Sequence, residues 1–288
     1  MEFDELLNRI WCYDTEVFAH DTLLVFMNYK TKEEKVFHNC TPDELQTFFD
    51  NTHPILLGYN NKGYDQYILK AVLYGYTPEE IKGINDHIIG GGNGWDIDFG
   101  YINVPTQIDL IYCIIPRKSL KELEGNLRLN ITETTIPFDL PDKWNEQQYK
   151  EVLYYCEHDV QALFPIFDRL MTRFKSKYII SKLGNIDPEY ALSLTDANLT
   201  ATLLGAERQE HDDNFKYTYP SVIDKTKIPK EVLNYFDDVI AHNDLDYKVE
   251  APCLDLKTID FQLGYGGCHA FIKEGVYQYD RGDNLQCQ

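Results

Sequence analysis

No stretch of 18 apolar residues occurs in this 288-residue chain, so no segment is expected to cross a membrane as a helix. The opening residues, MEFDELLNRI, are acidic and short of an apolar run, which argues against a secretory leader. Seven cysteines (Cys12, Cys40, Cys113, Cys156, Cys253, Cys268, Cys287) are scattered with no CxxC pair and no zinc-ligand spacing. Neither a disulfide framework nor a structural metal is therefore expected, and a reducing cytoplasm is the simplest setting. Phosphate-cradling loops are missing too. Gly90, Gly91, Gly92 and Gly94 cluster without forming GxxxxGK[ST] or GxGxxG, and read as a connection. Basic residues are scarce, 27 against 47 acidic, giving a net charge of -20. Such a chain is not expected to bind nucleic acid tightly on its own, because counterion release rewards Lys and Arg. The charge serves as a solubility surface, or the basic surface lies on another domain or a partner. No internal repeat or low-complexity tract occurs.

What is present suits one large domain or two smaller ones, since 43% of the residues are hydrophobic. Three strand-like stretches open the chain, Asn8 to Glu16, Asp21 to Lys30 and Glu34 to Cys40, and predict a β-meander. Thr41-Pro42-Asp43-Glu44 then carries an N-cap, a first-turn proline and a capping-box glutamate, predicting a helix to about Asn51. Pro54 to Tyr59 reads as a buried strand and Tyr64 to Tyr74 as a helix, so Asp65 falls where strand hands over to helix. Thr77-Pro78-Glu79-Glu80 starts another helix. Gln107 to Ile115 is strand-like, and Ser119 caps a short helix through Leu127. Asn145 to about Lys177 is a long helix with an apolar stripe and an expected kink at Pro165. The character changes near residue 180. Beyond it, Asp196 to Glu210 and Lys230 to Ala241 read as helices, and Phe261 to Tyr279 as a glycine-rich strand pair.

Four carboxylates stand out in three short contexts. Asp14 and Glu16, two apart on a strand, leave the same face and can share one cation. Asp65 closes the run Asn61-Lys62-Gly63-Tyr64-Asp65, the most specific of the three strings. Tyr155 and Asp159 are neighbours on one face of the long helix, and Asp159 falls inside its apolar stripe. A carboxylate there, between Cys156 and Leu163, is either badly placed or bound to something positive. DxE recurs at Asp187-Pro188-Glu189, which reads as a turn and helix start, and YxxxD recurs from Tyr279 to Asp283. If the four acids converge at one end of a sheet, they would hold two Mg²⁺ or Mn²⁺ ions about 4 Å apart for phosphodiester hydrolysis. Tyr155 would then orient the attacking water, Asn61 would hydrogen-bond the terminal nucleotide, and Tyr64 would stack on an unpaired base.

These motifs resemble DxE, Nx2-3(F/Y)D and YxxxD of the DEDD 3′→5′ exonucleases, in the branch with tyrosine in the third motif. The histidine branch would place His where Tyr154 stands, and His158 is expected on the helix surface. Three further stretches resemble the N-terminal part of a family B DNA polymerase of bacteriophage type. They are Ile108-Asp109-Leu110 with Arg117 to Glu124, then Ile136-Pro137-Phe138-Asp139, and Leu263 to His269. The resemblance implies an α/β, RNase H-like three-layer domain with a mixed sheet over 1-180. A smaller mixed α+β segment over 181-288 would precede the palm. It also implies Asp14, Glu16, Asp65 and Asp159 as metal ligands, and Thr15, Asn61, Tyr64 and Phe138 as contacts to a single-stranded DNA 3′ end. Protein-primed members carry a lysine before the third motif; Glu133 falls near it, with Lys121 and Lys143 as substitutes.

No DxxSLYPS-like motif and no DTD-like pair occur, so polymerase activity is not expected of these residues. Tyr219-Pro220-Ser221 imitates a fragment of the first motif, with Asn214 in place of its Asp. The expected partners are the 3′ end and a polymerase palm and fingers or another replication protein. The setting would be the host cytoplasm if the chain is viral. A free-standing nuclease trimming single-stranded DNA or RNA is the alternative, and a catalytically idle replication-binding module is the second.

Overall fold

The computed structural model describes residues 2–207, 216, 218–219 and 221–242, and the backbone of 253–256, 259–264 and 267–272. Ahead of the strand expected from Asn8, the chain forms a helix, Phe3–Asn8 (α1), and the strand itself begins at Ile10. Glu2 and Glu5 close a reciprocal capping box on α1, and Leu6 and Leu7 are buried. The meander follows as Ile10–Val17 (β1), Thr22–Asn28 (β2) and Glu34–His38 (β3), paired antiparallel. Thr41 and Glu44 cap Pro42–Thr52 (α2) as expected. Ile55–Gly58 (β4) then runs parallel to β1, and Asp65–Tyr74 (α3) starts just past its end. Thr77 and Glu80 cap Pro78–Ile89 (α4).

The strand expected from Gln107 to Ile115 stops after three residues, Gln107–Asp109 (β5), parallel to β4. Its last residue ends it. The Asp109 carboxylate accepts from Ile111 N at 3.1 Å and turns the chain into a 3-10 turn over Leu110–Cys113. Ser119 and Glu122 cap Leu120–Leu127 (α5), and Asn145 caps Glu146–Leu183 (α6). This last helix runs through Pro165 and past the expected end at Lys177. An interior proline costs about 3 kcal/mol, and the buried stripe of Val152, Cys156, Val160, Leu163, Phe167 and Phe174 offsets it. Pro188–Ser193 (α7) and Asp196–Leu203 (α8) complete this part. Asp187 caps α7 by accepting from Tyr190 N at 2.8 Å, so the second DxE string is a helix start.

The sheet order is β3-β2-β1-β4-β5, a mixed sheet with β1 at its centre. Alternation along β1 divides the core. Ile10 and Cys12 join α1 and α6 on one face, while Trp11, Tyr13 and Val17 join α2, α3 and α4 on the other. Helix, sheet and helix make a three-layer α/β, RNase H-like architecture. Residues 1–207 form one compact unit, and the expected division near 180 falls inside α6. In the second unit, Lys230–His242 (α9) buries Val232, Tyr235 and Val239. Its strands, Cys253–Leu256 (β6), Ile259–Gly264 (β7) and Gly267–Ile272 (β8), pair antiparallel in that order. The helix expected from Asp196 to Glu210 is described only as α8. Its last three residues, the tail of the glycine-rich pair beyond Ile272, Pro220, Asn214 and the second YxxxD string lie outside the described residues.

Candidate active site

Asp14 and Glu16 sit in the second half of β1, on the face that Cys12 turns towards α6. Cys156 of α6 approaches from that side, its Sγ donating to Asp14 Oδ2 at 3.9 Å. One ligand atom from each of Asp14, Glu16 and Cys156 lies within 4.8 Å of the others. Burial pushes the pKa of both carboxyls well above the ordinary range, and neighbouring charges add to it. Asp65 raises Asp14 most, and Asp159 raises Glu16 most.

Thr15, between them, faces the opposite layer and donates its hydroxyl to Asp65 Oδ1 at 2.6 Å. That bond ties the start of α3 to the centre of the sheet. Asp65 lies in the first turn of α3, where the helix dipole favours a carboxylate, yet burial raises its pKa to about 7. The turn leading to it is shaped by a residue without a role in the motifs. Asp109, itself buried, accepts from Asn60 N at 2.8 Å and Lys62 N at 3.2 Å. Only its place in Ile108-Asp109-Leu110 pointed to it.

Asn61 is fully buried, and Gln107 Oε1 accepts from its Nδ2 at 2.7 Å and from Tyr13 Oη at 2.8 Å. Its own Oδ1 has no hydrogen-bond partner. Asn61 thus underpins the turn instead of lying open on the surface. Gly58 gives it room: a Cβ there would stand 2.8 Å from Asn61 Cβ. Gly58→Ala is expected to destabilise the chain by about 1–3 kcal/mol, read as a shift of the urea midpoint at unchanged slope.

Tyr64 is half-buried, and its hydroxyl donates to Asn85 Oδ1 at 2.6 Å. Phe138 is 49% exposed, its ring 4.8 Å from that of Phe18, just beyond Glu16. The Phe138 carbonyl accepts from Ala19 N at 3.0 Å, which fixes this segment to the end of β1.

Asp159 is buried on α6, and its positive partner is Lys121 from α5, whose Nζ contacts Asp159 Oδ1. The Lys121 ammonium also stands 4.9 Å from the centre of the Tyr155 ring. Tyr155 is half-buried; burial, then the charges of Glu16 and Asp159, raise the pKa of its hydroxyl. His158, expected on the helix surface, is only 18% exposed, with Nδ1 3.6 Å from Asp159 Oδ1. The fold turns it inwards beside α5, a contact no helical pattern in α6 reveals.

Two solved structures resemble part of this chain. Both are of Phi29 DNA polymerase, one in a ternary complex with primer-template DNA and incoming nucleotide substrates, the other in a post-translocation binary complex with primer-template DNA. Identity is 12% and 11%, with TM-scores of 0.35 and 0.32. The match covers 61% and 60% of this chain but 35% and 34% of the polymerase, so the chain spans about a third of that protein's length. No family model and no curated protein matches the chain.

The donor chemistry fits a hard divalent cation. Asp14, Glu16, Asp65 and Asp159 offer carboxylate oxygens from three elements, and the charges of Asp65 and Asp159 raise the pKa values of Asp14 and Glu16. Among the described residues, the cation drawn to this group is Lys121, which lowers the pKa of Glu16. One ammonium against four acids leaves negative charge uncompensated, and among the described residues two groups could each hold a metal ion, Asp14 with Glu16 and Cys156, and Glu124 with His158 and Asp159.

Proposed function

We propose that this chain is a metal-dependent 3′→5′ exonuclease acting on single-stranded DNA ends, as the proofreading part of a family B DNA polymerase. What supports the reading most is that Asp65, at the start of α3, and Asp159, on α6, raise the pKa values of Asp14 and Glu16 on β1, acids that burial alone would disfavour. Two Mg²⁺ or Mn²⁺ ions held by Asp14, Glu16, Asp65 and Asp159 would supply Lewis-acid polarisation of the scissile phosphate and the attacking water.

The chain's own residues do the rest. Tyr155 keeps its proton, because burial and two adjacent carboxylates disfavour the phenolate. It therefore works by orienting water through a hydrogen bond, not by abstracting a proton. Tyr64 presents a ring for stacking on an unpaired base, its hydroxyl already held by Asn85. Phe138 offers a second exposed ring at the end of β1. Thr15 and Asn61 act from beneath, by fixing Asp65 and the turn that leads to it.

Oligonucleotides decide the matter. With Mg²⁺, a 5′-labelled single strand should shorten into a ladder, while a 3′-labelled one should release its label as a mononucleotide in the first step. No product, or a ladder left unchanged by Asp14→Ala, would overturn the reading. Tyr155→Phe should keep the fold and lose about 10²–10³-fold in rate, as for the removal of one positioned hydrogen-bonding group. DNA binding is expected to be weak and steeply salt-dependent, given the net charge of -20.

A further inference from the structure

Asp159 shares its cation with a second carboxylate. Lys121 contacts Asp159 and also lies 3.5 Å from Glu124 Oε2, three residues along the same helix. Glu124 is fully enclosed, and neither of its oxygens has a hydrogen-bond partner. Burial raises its pKa; Asp159 adds to this, while Lys121 and His158 oppose it. On its other side, His158 Nδ1, also without a hydrogen bond, stands 3.9 Å from Glu124 Oε1.

A buried carboxylate short of hydrogen bonds destabilises the folded chain. A neutral residue at position 124 would avoid that cost, so packing does not explain the charge. What lies within its reach does. Lys121 has two acids nearby and makes close contact with only one of them, Asp159. An ammonium and a divalent cation cannot share the same carboxylate oxygen, because like charges at contact distance repel strongly in a partly buried site. If an ion binds Asp159, Lys121 has to leave it, and the open oxygens of Glu124 are the nearest acceptor.

We propose that Lys121 is a resident cation that neutralises Asp159 until a divalent ion binds there, and that Glu124 is the acceptor to which it then moves. The proposal rests on the nuclease reading above. Lys121 and Glu124 are positioning residues: the first keeps Asp159 in place while the ion is absent, and the second keeps the displaced ammonium from opposing the ion. When the ion leaves, Lys121 returns.

The test is a Mn²⁺ titration of the 288-residue chain, with free Mn²⁺ read by electron paramagnetic resonance. The wild type is compared with Glu124→Gln, Lys121→Met, the double variant and Asp159→Asn. Glu124→Gln should weaken Mn²⁺ binding by about 10-fold, a coupling typical of linked sites. Lys121→Met should tighten it about 5-fold, and in that background Glu124→Gln should change it by less than about 2-fold. An equal effect of Glu124→Gln in both backgrounds would mean that Glu124 acts only through space, and would overturn the proposal. Weaker binding by Lys121→Met would do the same. A wild type that binds no Mn²⁺ overturns the nuclease reading and this inference with it. Binding that is lost in Asp159→Asn but shows no coupling to Lys121 and Glu124 overturns this inference alone. Thermal melting of each variant confirms that folded chains are compared, and Lys121→Met stands as a separate arm should Glu124→Gln fail to fold.

Discussion

Asp14→Ala is expected to abolish digestion of 3′ ends while leaving the chain folded. Lewis-acid stabilisation of a phosphoryl transition state is worth several kcal/mol. On the proposed reading, in which Asp14 is a ligand, its removal should therefore cost about 10³–10⁵-fold in rate. Stability should move the other way. Asp14 lies in the field of Asp65, Glu16 and Asp159, and burial already holds its pKa well above the ordinary range. Deleting it relieves that repulsion, so the metal-free melting temperature should hold or rise at pH 8. A substitution that abolishes activity by unfolding the chain would show a clear fall in melting temperature, and would make Asp14 a structural residue instead of a ligand.

The second large effect is a pH dependence that divalent ions cancel. Asp65 has a folded-state pKa of about 7, above the ordinary value near 3.8. For a group raised in this way, the folded state binds the proton more tightly. Its stability is fully present below the unfolded pKa and is lost as pH rises through about 7. Asp14 and Glu16 are raised for the same reason and carry the same sign. Carboxyls with lowered pKa values, such as Glu44 and Glu79, carry the opposite sign but titrate below the ordinary carboxylate value, outside the window from pH 5 to 8. The metal-free chain should accordingly lose about 2–4 kcal/mol between pH 5 and pH 8, or roughly 5–10 °C in melting temperature. Millimolar Mn²⁺ should restore that loss at pH 8 and do little at pH 5, where protons occupy its ligands. Asp65→Asn keeps an acceptor for Thr15 and should make the metal-free profile shallower, leaving the part due to Asp14 and Glu16. A melting temperature that is level or rises from pH 5 to pH 8, unmoved by Mn²⁺, would contradict a carboxylate metal site.

Much of this fold was legible because its signals are local. The capping boxes at Thr41, Thr77 and Ser119 form as their spacing predicts, and Asp65 opens α3 at the expected handover. Alternation along β1 put Asp14 and Glu16 on one face, and Asp159 in the apolar stripe of α6 left a positive partner as one of two readings. What stayed hidden depends on contacts between distant segments. Six residues are too few for helical periodicity, so α1 was not expected ahead of the strand from Asn8. Asp109 looked like part of a longer strand, because its task is to hold backbone N–H groups 47 and 49 positions away. The partner of Asp159 is 38 positions distant on another helix, and no spacing within α6 names it. Asn61 was legible as a motif residue but not as a buried one, since its environment is made by Tyr13 and Gln107.

The alternation of β1 has one more consequence, for how the chain avoids folding wrongly. Thr15 bonds Asp65 on one side of the sheet while Asp14 and Glu16 face α6 on the other, with Asp14 opposite Val25. A one-residue slip of β1 against β2 would exchange these faces, presenting Thr15 to α6 and setting Asp14 and Glu16 among the aromatic rings that surround Tyr13. The slipped chain would thus bury two acids in an apolar layer and be unable to gather its carboxylates around an ion. On the proposed reading, binding of a divalent cation would reward only the register in which the strand is correctly seated.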